Sequence, residues 1–315
     1  MAVKPRRKAL VIGISDYINL QKLDFCRNDG KEIYEVLSSL GYEISDKFRL
    51  VGEAKGEKIR DAVFDFFDNI NNDLDDILLF YYSGYGVMDV DGDMYLASSD
   101  TDPDNPYRSG FPFAELTRMI QRSISSKIIV ILDCCYSGSV QADKDKYDEE
   151  AVAKLGNKAI VKNTNLVSQG QGKYILPASL AAQEAYNLAT GEHSIFTYYL
   201  LRGNAESVDN EGNITPQSLG RYVYRSIMSL PPDKRPRQTP ITRIEESGDI
   251  ILASHPGLER NVEDTTPLTN REGLRKVPGK FGFFGRLFGR NKTTSISKSS
   301  RFNSRKRKFD DRRHN

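Results

Sequence analysis

Ile128-Ile129-Val130-Ile131-Leu132-Asp133-Cys134-Cys135-Tyr136-Ser137-Gly138 is an apolar run that ends on an acid, two thiols and a small-residue turn. Five apolar residues without polar alternation read as a strand covered on both faces, the habit of parallel sheets. A second such run, Ile77-Leu78-Leu79-Phe80-Tyr81-Tyr82, lies upstream and delivers Ser83-Gly84-Tyr85-Gly86, also read as a turn. Sites in open parallel sheets form beyond the carboxyl ends of the strands. Cys135, Asp133 and Tyr85 are therefore expected together on one sheet edge.

Working outward, Lys8 to Ile14 reads as a first buried strand. Ile33, Val36, Leu37 and Leu40 share one helical face, with Gly41 placed to end it, and Ile59, Val63, Phe66, Phe67 and Ile70 mark a second helix. Asp91-Gly92 predicts a small hairpin, and Pro112 can start a helix carrying Phe113, Leu116 and Ile120. Residues 139–171 are a polar loop, after which Lys173 to Leu176 restarts the sheet. A helix is expected from about Ser194 to Leu201, another from Thr215-Pro216, and a last short strand at Ile250 to Leu252. Strands alternating with helices predict an α/β fold: a mainly parallel sheet of about six strands between two helical layers.

Net charge is +2, but it is divided unevenly. From His255 onward there are 16 Lys/Arg against 6 Asp/Glu, leaving 29 of the 45 basic and 37 of the 43 acidic residues before it. The predicted organisation is a basic arm at 1–7, a domain at 8–254 and a basic tail at 255–315, read as disordered because its periodicity stops. Three cysteines, two of them adjacent, cannot supply a disulfide framework and fit a reducing, cytoplasmic compartment. No apolar run approaches membrane-spanning length.

An attacking cysteine needs thiolate character and a partner that protonates the leaving amine. Cys134, on the strand side, reads as a buried hydrophobe; Cys135, beside Ser137-Gly138, reads as the reactive thiol. Backbone N–H groups around Gly84 and Gly86 and at Cys135 can hold an oxyanion. Asp29 reads as a helix N-cap ahead of Lys31-Glu32. Asp89, Asp91 and Asp93 read as turn formers or as weak calcium ligands; no other cofactor is expected.

These residues carry a family resemblance. Lys8–Tyr17 (KALVIGISDY), Tyr81–Gly86 (YYSGYG), Tyr95–Asp100 (YLASSD), Asp133–Gly138 (DCCYSG) and Gly191–Leu201 (GEHSIFTYYLL) resemble caspase-fold cysteine peptidases, nearest to metacaspases and prokaryotic caspase-like proteins. The resemblance implies a caspase-like sandwich and an endopeptidase whose nucleophile is Cys135. Tyr85 occupies the position of the family's catalytic histidine, a departure that implies weakened or lost turnover. It further implies that Asp29 and Asp133, with Ser179 lining the cleft, receive Arg or Lys before the scissile bond. Loop 139–171 matches the segment where family members are cut into a large and a small part.

His193, His255 and His314 are the histidines present, and His193 is read as a helix-start residue. The expected partner is a protein or peptide, as substrate or, if the chain is a pseudopeptidase, as a bound regulator. In the tail, Phe281, Phe283, Phe284 and Phe288 interleave with Arg286 and Arg290. That pattern suits an anionic membrane surface, nucleic acid or a partner protein.

Overall fold

Apolar residues alternate their allegiance along each central strand, and two helical layers result. The computed structural model describes residues 5–68, 70–137, 172–177, 192–203, 207–208, 212–231 and 250–254. The elements are β1 (Arg7–Ile14), α1 (Asp24–Ser39), β2 (Arg49–Gly52), α2 (Gly56–Phe67), β3 (Ile77–Met88), β4 (Met94–Leu96), β5 (Phe111–Pro112), α3 (Phe113–Arg122), β6 (Lys127–Ser137), β7 (Lys173–Pro177), α4 (Ile195–Leu201), β8 (Asn213–Ile214), α5 (Pro216–Met228) and β9 (Ala253–Ser254).

Five strands pair in parallel in the order β2, β1, β3, β6, β7. β4 adds antiparallel to the far end of β3, and β5 to β4. Leu10, Ile12, Phe80, Tyr82, Val130 and Leu132 face α2 and α3. Their neighbours Ala9, Val11, Leu79, Tyr81, Ile129 and Ile131 face α1, α4 and α5. The period of two, at work on both sides of one sheet, produces the αβα sandwich.

The expected mainly parallel sheet of about six strands is present, with seven strands pairing among the described residues. Three other expectations need correction. Ile70 lies past the end of α2 and is 88% exposed. The last strand falls at Ala253–Ser254, in a separate ribbon with β8, one step beyond the apolar run. Ser83 to Gly86 is no turn: β3 runs through it to Met88, in register with β6 on one edge and with β4 at its far end. Ladder pairing across both neighbours outweighs the turn preference of its glycines. Loop 139–171 and the tail 255–315 lie outside the described residues.

Two glycines seat α1 on β1. A Cβ on Gly13 would stand 2.4 Å from the carbonyl oxygen of Cys26 and 3.1 Å from the Cα of Gly30. That close approach brings the middle of α1, including Asp29, down to the end of β3. Gly13→Ala is expected to lift the helix and lower stability by roughly 1–3 kcal/mol, read from the urea unfolding midpoint. An unchanged midpoint would contradict this seating.

Candidate functional site

β3 and β6 share a register that sets Ser83 against Asp133, Gly84 against Cys134 and Tyr85 against Cys135. Paired strands lie about 4.8 Å apart, so positions 85 and 135 are immediate neighbours across one rung. Cys134 is 4% exposed and packs in the core with Tyr82 and Leu132, as expected of the structural thiol. Cys135 is placed by its backbone pairing; its side chain, like Ser179, lies outside the described residues.

The environment of position 85 is built from tyrosines. Pairing with β1 ends at Ser83 and pairing with β4 begins at Gly86, which leaves Gly84 and Tyr85 between them on that edge. Tyr17 fills the gap: its hydroxyl accepts from the Tyr85 N–H at 3.1 Å and donates to the Ile14 carbonyl at 3.0 Å. The Tyr82 hydroxyl reaches the carbonyls of Tyr85 and Ala97, both at 2.8 Å. A Cβ on Gly84 would stand 2.7 Å from both hydroxyl oxygens, so glycine is required by this crowding and not by a turn. The Tyr85 ring is half-buried and meets the Tyr17 ring edge-on, centroids 5.1 Å apart.

Two rungs earlier, at Ser83 and Asp133, lies a buried polar network. Asp29 is wholly buried and sits mid-helix in α1, which begins at Asp24; the helix-cap reading of Asp29 is therefore wrong. Its Oδ2 accepts from the Ser83 hydroxyl at 3.2 Å, and its Oδ1 stands 2.8 Å from His193 Nδ1. Asp133, 5% exposed, accepts from the hydroxyls of Ser194 and Thr197, the latter at 2.6 Å. Ser194 also caps α4 by accepting from the Thr197 N–H at 2.9 Å, and Tyr81 bonds Thr197 at 2.7 Å. The two carboxylates of the sequence reading are thus joined to α4 by residues immediately preceding and opening that helix.

Burial governs the charge states. Desolvation lifts the Asp29 carboxyl to about 7, and the nearby Asp133 carboxylate adds to the lift against the imidazole's pull. Desolvation also raises Asp133, opposed by the hydrogen bonds from Ser194 and Thr197. At His193 desolvation acts downward, but the bonds to Asp29 and Glu32 outweigh it and hold the imidazole up at about 9. Arg27 does not enter this group; its guanidinium pairs with Asp16. His193 does precede a helix, as expected, yet its bond to Asp29 spans 164 positions and left no local signal.

The aspartates after β3 serve a turn. Asp89 Oδ1 accepts from the N–H groups of Asp91 at 3.0 Å and Asp93 at 2.9 Å, and Oδ2 accepts from the Tyr95 hydroxyl at 3.0 Å. Gly92 takes the positive φ of 81° that closes this predicted hairpin. Among the described residues no three His, Cys, Asp or Glu side chains are grouped to hold a metal ion. No helix among them is long and apolar enough to cross a membrane.

Residues 6–242 match the family model described as the caspase domain of C14 peptidases. No curated protein matches the sequence. Among solved structures, the fold is similar to a protein of Geobacter sulfurreducens at 16% identity, with 76% of this chain and 95% of that chain covered and a TM-score of 0.45. It is also similar to caspase-1 of Spodoptera frugiperda at 14% identity, with 81% and 92% covered and a TM-score of 0.44.

Proposed function

Because this chain belongs to the caspase domain family, we propose that it is a cysteine endopeptidase that cuts after Arg or Lys at a slow rate. Cys135 attacks the scissile carbonyl as thiolate, forming a tetrahedral oxyanion that the backbone N–H at Cys135 stabilises; the Tyr85 N–H is already given to the Tyr17 hydroxyl. Collapse of that intermediate expels the amine and leaves an acyl-thioester for water. The amine needs a proton, and Tyr85, the phenol-bearing residue, stands opposite Cys135 on the same rung. A phenol ordinarily titrates near 10 and is a poor shuttle at neutral pH, which sets the slow rate. Asp29 and Asp133 receive the basic side chain through charge-assisted bonds. The observation that carries this reading is the rung-by-rung match of Ser83 to Asp133 and Tyr85 to Cys135.

Hydrolysis of Arg- and Lys-containing peptides, with and without calcium, tests it. Slow cleavage after the basic residue is expected, abolished in Cys135→Ala. Cleavage that persists in that variant would defeat the proposal, as would no cleavage and no labelling of Cys135 by an arginine-bearing chloromethyl ketone. A second reading, a pseudopeptidase that binds basic segments without turnover, is favoured by the packing of the Tyr85 ring against Tyr17. Labelling without hydrolysis would select it. Low cysteine content supports a cytoplasmic setting, and the basic Phe-containing tail is proposed to dock on an anionic surface or partner.

A further inference from the structure

Both ring nitrogens of His193 face carboxylate oxygens. Nδ1 lies 2.8 Å from Asp29 Oδ1 and Nε2 lies 3.3 Å from Glu32 Oε1. A neutral imidazole carries one N–H, so when both carboxylates are ionised the two contacts call for the doubly protonated ring. Around the ring and its carboxylate partners stand Asp29, Lys31 and Glu32 on α1, Asp133 on β6, Tyr81 and Ser83 on β3, Thr197 in the first turn of α4 and Arg202 just past its end. Carboxylates dominate that set, in keeping with an imidazole held up at about 9. The chain therefore supplies its own cation to Asp29, and the carboxylate is wholly buried beneath it.

Resting on the reading of Asp29 and Asp133 as the receptor for a basic side chain, we infer that His193 is a specificity-determining residue: an internal cation that an entering Arg or Lys must displace. The geometry gives it a route. Glu32 is 40% exposed and lies on the far side of the ring, so the imidazolium can release Asp29 and keep one carboxylate partner at the rim. The Asn28 amide, which donates to the Glu192 carbonyl at 3.1 Å, tethers the segment while the ring moves. A guanidinium presents a planar fork of donors that can span Asp29 and Asp133 together, whereas an imidazole offers one N–H to each side. Displacement therefore favours Arg over Lys, and the cost of moving His193 screens out neutral residues.

The full natural chain, labelled at histidine, is titrated with N-acetyl-L-argininamide and followed by NMR, with the neutral isostere N-acetyl-L-citrullinamide as control. The chain has 3 histidines, and His193→Gln assigns the resonance. The free His193 signal is expected to titrate high and, once argininamide is bound, to move toward the ordinary value of about 6.5. Citrullinamide should leave it unmoved. His193→Gln, which keeps a donor for Asp29 but no charge, should bind argininamide about tenfold more tightly than the natural chain. Should that variant fail to fold, the response of the natural chain decides alone. An unmoved imidazole with argininamide bound, equal affinity in both chains, or no binding to either would overturn the inference. Cys135-dependent peptide cleavage without an imidazole response would leave the peptidase reading and remove this one. Displacement without cleavage would do the reverse.

Discussion

Replacing Tyr85 by histidine is expected to raise cleavage of Arg-containing peptides by roughly 10²–10⁴-fold, the range that a positioned acid–base group contributes. The strand pairing puts position 85 opposite Cys135, so the new imidazole starts on the correct rung. An imidazole titrates near neutrality, takes the thiol proton and returns it to the leaving amine. The backbone at position 85 is held by the hydroxyls of Tyr17 and Tyr82 and not by its own ring, so the exchange leaves those anchors in place. The smaller ring does give up the edge contact with Tyr17. The measurement is kcat/KM for Tyr85→His against the natural chain, with Tyr85→His/Cys135→Ala as the blank. A rise that survives in the blank, or no rise in a folded variant, would show that position 85 is not where the proton transfer fails.

The second large effect falls on stability. Asp29→Ala removes the carboxylate opposite His193 and leaves a buried imidazolium with Glu32 as its remaining carboxylate partner. Breaking a buried pair in this way typically costs about 3–5 kcal/mol, a large share of the 5–15 kcal/mol that holds most domains folded. The Ser83 hydroxyl also loses its acceptor. Asp29→Asn keeps an acceptor of the same shape and should cost clearly less. Guanidinium unfolding of the two variants beside the natural chain provides the comparison. An Asp29→Ala midpoint equal to that of the natural chain would mean that the Asp29–His193 pair does not form in solution.

Much of the scaffold was legible in the amino-acid order because its signals are local. The runs at Leu10, Leu79 and Val130 are apolar on both faces and became the central parallel strands. Thr215 and Pro216 opened a helix as their types require, with Ser218 completing a reciprocal cap. Gly41, with φ 81°, follows α1, and Gly92 closes the hairpin. The errors also have a local origin. Ser83-Gly84-Tyr85-Gly86 has turn composition, and no window around it could announce that β6 and β4 would hold it extended. Asp29 has cap composition, yet α1 started five residues earlier.

For the candidate site, residue order alone determined the chemical inventory: a thiol at 135, a phenol at 85, and acids at 29 and 133. Tertiary packing decided what those groups touch. Gly13 against Gly30 set the depth of α1, and with it the contact of Asp29 with Ser83; the docking of α4 brought His193 and Ser194 to the two acids. Periodicity reports the face on which a residue lies because neighbours two to four positions apart share it. Which distant element arrives at that face is settled by packing depth and strand register, and neither is written in any short window of the chain.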